Sequence, residues 1–234
     1  MQRLAIVPIL LAVVVPAGLA TAQGDGVRQT ASVEFSSQRP ASPVFEDISI
    51  DYVNPDDPQG QPPAVRKVET LIQGGARYDT IGIGQCTASD PELMAQGEAA
   101  CPPESKIGEG VTTVDSGAPG PGRYVTADVD FFNNENELIY LTTVQPAGAH
   151  TVIRGDVFKR RTVTNLEMLP GLHPDGGSID TVEIDLGRVD DDGASYVTTP
   201  PRCPKRGTWI NRIRFTYADG QTQETSNEIP CRRR

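Results

Sequence analysis

"YVTADVDFFNNENELIYLTTV", Tyr124–Val144, decides the architecture. In its first half Val125, Ala127, Val129 and Phe131 fall on one side and Thr126, Asp128 and Asp130 on the other, the two-residue period of a half-buried strand. "NNEN" (133–136) supplies turn residues, and "LIYLTTV" (138–144) is apolar on both faces, as a central strand would be. Two such runs joined by a turn predict an antiparallel hairpin.

The same period recurs outward from this hairpin. "FEDISIDYV" (45–53) sets Ile48, Ile50 and Tyr52 against Asp47, Ser49 and Asp51, and a weaker alternation through Ala64, Val68 and Ile72 ends in Gly74-Gly75. Further β-like runs lie at 111–114, 152–159, 163–169, 179–186 and 196–199, separated by turn clusters such as "NPDDPQGQPP", "LPGLHPDGG" and "RVDDDGA". One helical signal stands among them: Ser89-Asp90-Pro91-Glu92 is a capping box, predicting a short surface helix near 91–96 that Gly97 ends. Roughly ten to twelve strands at this spacing predict an all-β fold, an antiparallel β-sandwich of immunoglobulin-like or jelly-roll type. The expected organisation is a polar N-terminal arm at 23–43, in which "SVEFSS" could be an edge strand, and a single β domain at 44–234.

The C-terminal stretch "RCPKRGTWINRIRFTYADGQ" (202–221) carries five basic residues and three aromatics in an otherwise acidic chain. Alternation separates them. Trp209, Asn211, Ile213, Phe215 and Tyr217 share one face, and Ile210, Arg212, Arg214 and Thr216 share the other. The reading is a strand that buries its aromatics and presents Arg212 and Arg214, the candidate anion-facing residues. Asp219-Gly220 then predicts a type I′ turn that sets Tyr217 opposite Thr222 and Phe215 opposite Glu224.

"MQRLAIVPILLAVVVPAGLATA" (1–22) has one basic residue, an apolar run and a small-residue end, the pattern of a secretory signal peptide cleaved before Gln23. No later segment has the apolar length of a transmembrane helix, so a secreted or cell-envelope protein is expected. Cys86, Cys101, Cys203 and Cys231 are then expected to be oxidised. Three pairings are possible; Cys86 with Cys101 and Cys203 with Cys231 are favoured as local pairs beside turn residues, each stabilising by about 3 kcal/mol. Residues 23–199 hold 12 Lys/Arg against 28 Asp/Glu, whereas residues 200–234 hold 8 against 3. That balance argues against nucleic acid as a partner and leaves only the C-terminal segment to attract an anion.

Catalytic motifs are weak. Asp115-Ser116-Gly117 echoes a serine-protease nucleophile, but His150 and His173 both follow it, contrary to the order in those enzymes. Asp128 with Asp130, and Glu183 with Asp185, are carboxylate pairs on strand faces, compatible with glycoside chemistry or with any polar face. Asp190, Asp191 and Asp192 could hold calcium in a turn but lack the spacing of an EF-hand loop. No residue is assigned a catalytic role, and no cofactor is expected.

The segments "CPPESKIGEG" (101–110), "FFNNENEL" (131–138), "YVTTPPRCPKRGTW" (196–209) and "FTYADG" (215–220), followed by Cys231, resemble a family of uncharacterised exported actinobacterial proteins. The likeness runs from Ala64 to Cys231, and this chain departs from the pattern in having Gln85, not Pro, before its first cysteine. The resemblance implies an exported, disulfide-linked β protein and carries no activity. The expected function is a non-enzymatic extracellular or cell-envelope interaction module. The alternatives are a carbohydrate-binding or carbohydrate-processing module and a calcium-stabilised adhesion domain.

Overall fold

The computed structural model describes residues 26–72, 74–190 and 193–232; the signal segment expected at 1–22, with its cleavage point, lies outside them. The strands are β1 (Gln29–Phe35), β2 (Glu46–Tyr52), β3 (Val65–Ile72), β4 (Arg77–Tyr78), β5 (Lys106–Asp115), β6 (Tyr124–Asn134) and β7 (Glu137–Val144). They continue with β8 (Ala149–Phe158), β9 (Arg161–Asn165), β10 (Ser178–Leu186), β11 (Val197–Thr198), β12 (Thr208–Tyr217) and β13 (Thr222–Pro230). The short helix expected after the first cysteine is present as α1 (Asp90–Gln96). The Glu92 carboxylate accepts from both the Ser89 N–H and the Ser89 hydroxyl, and the chain leaves the helix at Gly97 with φ 64°.

The all-β class holds, but in place of two facing sheets eleven of the thirteen strands among the described residues form one continuous sheet, and β4 and β11 pair separately. Its order is β1-β2-β10-β5-β6-β7-β8-β9-β3-β12-β13, with every neighbouring pair antiparallel. Hairpins from β5 to β9 build its middle, and the long-range pairs β10–β2 and β3–β12 extend it until the sheet curls nearly into a barrel. Eleven strands that alternate in direction leave the first and last parallel. Side-chain amides bridge that seam. Asn227 Nδ2 donates to the Val33 carbonyl at 2.8 Å while Oδ1 accepts from the Val33 N–H at 3.3 Å. Gln223 does the same one level away, accepting from Arg28 N–H and donating to the Gly26 carbonyl, each at 3.1 Å. Beside them Arg28 pairs with Asp219 at 2.7 Å, and Tyr217 Oη hydrogen-bonds Gln29 Oε1. Thus β1, inside the segment read as an arm, pairs with β2 over its whole length and forms one lip of the closure.

The central hairpin behaves as its pattern predicts. Inward Leu138 joins the buried interior, and outward Ile139 and Leu141 are covered by Leu93 of α1, Phe132 and the Cys86–Cys101 disulfide. Arg154 on β8 fastens the helix, donating to Asp90 and to the Ala88 carbonyl and reaching back to Glu137. The second bridge is Cys203–Cys231, so both favoured pairings form. Trp209, Phe215 and Tyr217 are buried as expected, and Trp209 Nε1 donates to the Arg202 carbonyl at 2.8 Å.

The β12–β13 register is shifted by one from the expected one. Thr216 faces Thr222, Phe215 faces Gln223 and Arg214 faces Glu224. Only Gly220 has positive φ, 83°; the Tyr217 carbonyl accepts from Gly220 N–H, and the Tyr217 N–H donates to the Gln221 carbonyl. Asp219 keeps negative φ, its carboxylate accepting from Gln221 N–H and pairing with Arg28, and the result is a three-residue loop with a bulged glycine.

Asn227→Ala strips the partners from two backbone groups at the seam, so a loss of about 1–3 kcal/mol is expected. Glu228→Ala, one residue on and facing solvent, should change stability by less than about 0.5 kcal/mol. Urea midpoints of the two variants test the difference; equal midpoints would show that the amide does not hold the seam.

Candidate functional site

The closed sheet surrounds space it does not fill. One chamber of about 150 Å³ is lined by inward residues of ten strands, among them Ile48, Ile50, Val68, Val129, Phe131 and Ile213. A second of about 290 Å³ lies toward the end where β6 begins, against Val65, Val125, Val144 and the Leu169-Pro170 turn. Thr112, Thr142, Ile153, Leu166 and Ile179 line both, so the two are chambers of one interior. Alternation makes the space apolar, because each strand sends every second side chain inward. Gly155 gives room for one of its few polar contacts: a Cβ there would lie 2.8 Å from Thr164 Oγ1, which meets the Tyr140 hydroxyl at 2.7 Å.

At the end where β2 starts, the interior meets a polar group it would not be expected to hold. Glu46, 1% exposed, points inward in phase with Ile48, Ile50 and Tyr52. The β4–β11 ribbon plugs this end and brings the Tyr78 hydroxyl to 3.3 and 3.4 Å from the two carboxylate oxygens. Among the described residues the facing titratable groups are phenols, Tyr78, Tyr140 and Tyr196, and the buried Tyr196 hydroxyl has no hydrogen-bond partner there. Burial pushes the Glu46 carboxyl up to about 8, with the Tyr78 hydrogen bond pulling weakly the other way.

A second concavity lies on the outer face. The register aligns Asp47, Asp185, Glu109 and Asp130 across four neighbouring strands, and with Glu98, Asp128 and Glu183 they line an open groove of about 760 Å³. Both carboxylate pairs singled out in the sequence therefore meet here. Burial, Asp47 and Glu109 together raise the Asp185 carboxyl. Desolvation opposes the charge on Lys106, yet Asp130 at 2.6 Å, Glu98 and Glu109 outweigh it and raise its pKa. His150 sits at the same groove, its Nδ1 3.0 Å from Thr143 Oγ1.

The other sequence candidates stay apart. Arg212 and Arg214 lie on the outer face of β12, and both approach Glu224, at 3.8 and 3.1 Å. The Asp190 carboxylate accepts from Arg188, while Asp191 and Asp192 lie outside the described residues. Among the described residues no cluster of three or more His, Cys, Asp or Glu is arranged to hold a metal. Ser116 donates its hydroxyl to the Gly122 carbonyl at 2.9 Å, and Asp115 is taken by Arg123. Glu46 was not among these candidates, although its even-numbered place on the apolar face of β2 was a signal of it. Tyr78, in a strand of two residues, and Tyr196, just before another, carried none, since so short a strand has no period.

Compared with protein-family models, with curated proteins and with solved structures, the chain matches none.

The Glu46 environment predicts a pH dependence. The folded chain keeps this proton up to a pH of about 8, whereas an unfolded carboxyl releases it near 4.5. The fold therefore holds the extra proton between those values, and stability falls as pH rises through that window. Glu46→Gln should flatten this slope and stabilise the protein at pH 8 by on the order of 4 kcal/mol. Urea denaturation of both proteins at pH 5 and pH 8 measures it; identical slopes would contradict a protonated Glu46.

Proposed function

We propose that this protein is an exported, non-enzymatic binding protein that holds a small apolar molecule inside its curled sheet. The observation that carries the reading is the two-chambered interior, apolar in its lining and joined at Ile153 and Thr142. An apolar cavity of roughly 150 Å³ suffices for a benzene-sized ring, and the adjoining chamber extends the space for a longer molecule. Support for export comes from the signal-like N-terminus and from two formed disulfides, which point to an oxidising, extracellular-type compartment. Among the described residues no helix is long and apolar enough to cross a membrane. The extracellular or cell-envelope partner anticipated from sequence thus becomes a ligand taken up by the interior.

The carbohydrate alternative would use the acidic groove, but among the described residues no Trp, Tyr or Phe lines it to stack on a sugar ring. The calcium alternative would use the 190–192 turn, where Arg188 already occupies the Asp190 carboxylate.

Titration with N-phenyl-1-naphthylamine, a neutral apolar fluorophore, should give saturable, blue-shifted emission. Ile153→Phe and Thr142→Leu, which add bulk at the junction of the chambers, should weaken it at least tenfold with the circular dichroism spectrum unchanged. Leu71→Ser, on the outer face, should leave it intact. Unsaturable emission, or equal affinity in all four proteins, would overturn the reading.

A further inference from the structure

We propose that Glu46 is the recognition residue of the interior and that the ligand is an amphiphile led by a protonated amine, its apolar body lying along the two chambers. The inference rests on the interior being a ligand site, and it adds the chemistry of the head group.

Four observations carry it. Among the described residues Glu46 is the one carboxylate lining either chamber, and no Lys, Arg or His lines them. An anionic head group would therefore meet no counter-charge. Second, the cost of keeping a carboxyl in apolar surroundings falls when a cation joins it, and no ion pair reaches Glu46 among the described residues. Third, the rings around this end are Tyr78 and Tyr196, 5.9 Å apart, with Phe131 and Tyr140 in edge contact beside them. Aromatic faces around a carboxylate suit an ammonium, which gains from both. Tyr78 and Tyr140 line the chamber itself, so their rings and the Tyr78 hydroxyl meet a head group there. Fourth, the chain's net charge of −10 favours the approach of cations over anions.

The proton balance sets the sign of the pH effect. An alkylammonium keeps its proton to a pH of about 10, as a lysine does. When it binds below pH 8, Glu46 gives its own proton to solvent so that ammonium faces carboxylate. Affinity should then rise about tenfold per pH unit from pH 6 toward 8 and level above it. The groups facing Glu46, namely Tyr78 on β4, Tyr140 on β7 and Tyr196 before β11, have pKa values raised by burial and do not titrate in this range.

Displacement of N-phenyl-1-naphthylamine by octylamine, octanol and octanoate tests the proposal on the full mature chain. Octylamine should displace the fluorophore at a concentration at least tenfold below octanol at pH 8, with octanoate weakest, and its advantage should shrink as pH falls to 6. Glu46→Gln should erase the preference for the amine while still binding the fluorophore. Equal potency of the three at pH 8, a preference for octanoate, an amine preference unchanged in Glu46→Gln, or an amine preference that fails to grow between pH 6 and pH 8 would each overturn the proposal while leaving interior binding intact. Failure of the wild-type protein to bind the fluorophore would instead defeat the interior-binding reading itself.

Discussion

Two side-chain amides stand where a strand ladder would otherwise be. With eleven strands alternating in direction, β1 and β13 run parallel, and Asn227 and Gln223 each present a donor and an acceptor to the backbone of the opposite lip. An amide has the hydrogen-bonding pattern of a peptide group, so it can serve the edge as a neighbouring strand would. Closure depends on these contacts and on the Arg28–Asp219 and Tyr217–Gln29 pairs beside them. Without closure the inner faces of β1 and β13 would meet water, and the interior would be a groove.

Closure is also what gives Glu46 its chemistry. A carboxyl at the start of a strand ordinarily keeps its charge by reaching water; here the β4–β11 ribbon lies over it, and the nearest polar groups are phenols. The acidic groove on the opposite face of the same strands shows the contrast. Its carboxylates face solvent, and Lys106 pairs with Asp130 at 2.6 Å among them. Residues of one chemical type thus acquire different properties by pointing to different sides of a sheet, which is the basis for assigning recognition to the inside.

Much of this was legible in local pattern. The alternation at Tyr124–Val144 placed β6 and β7, and the double-sided apolar character of β7 was explained once α1 and its disulfide covered the outer side. The capping box located the helix, because a cap and its carboxylate partner lie within one turn. The aromatics and arginines of β12 divided between faces as their parity required. The hairpin register was not legible: Asp-Gly is compatible with two loop lengths, and the observed one sets Asp219 against Arg28, a residue almost two hundred positions away.

The sequence by itself determined most of the longer strands and the faces they bury and favoured the local disulfides, since these depend on period or on short chain separations. Only the tertiary structure decided that the strands join into one curled sheet, that its seam is closed by amides, and that Glu46, Tyr78 and Tyr196 meet. Those outcomes depend on pairings such as β2 with β10 and β3 with β12. Their partners lie more than a hundred residues apart, and alternation along a strand says which side faces in without saying which strand lies beside it.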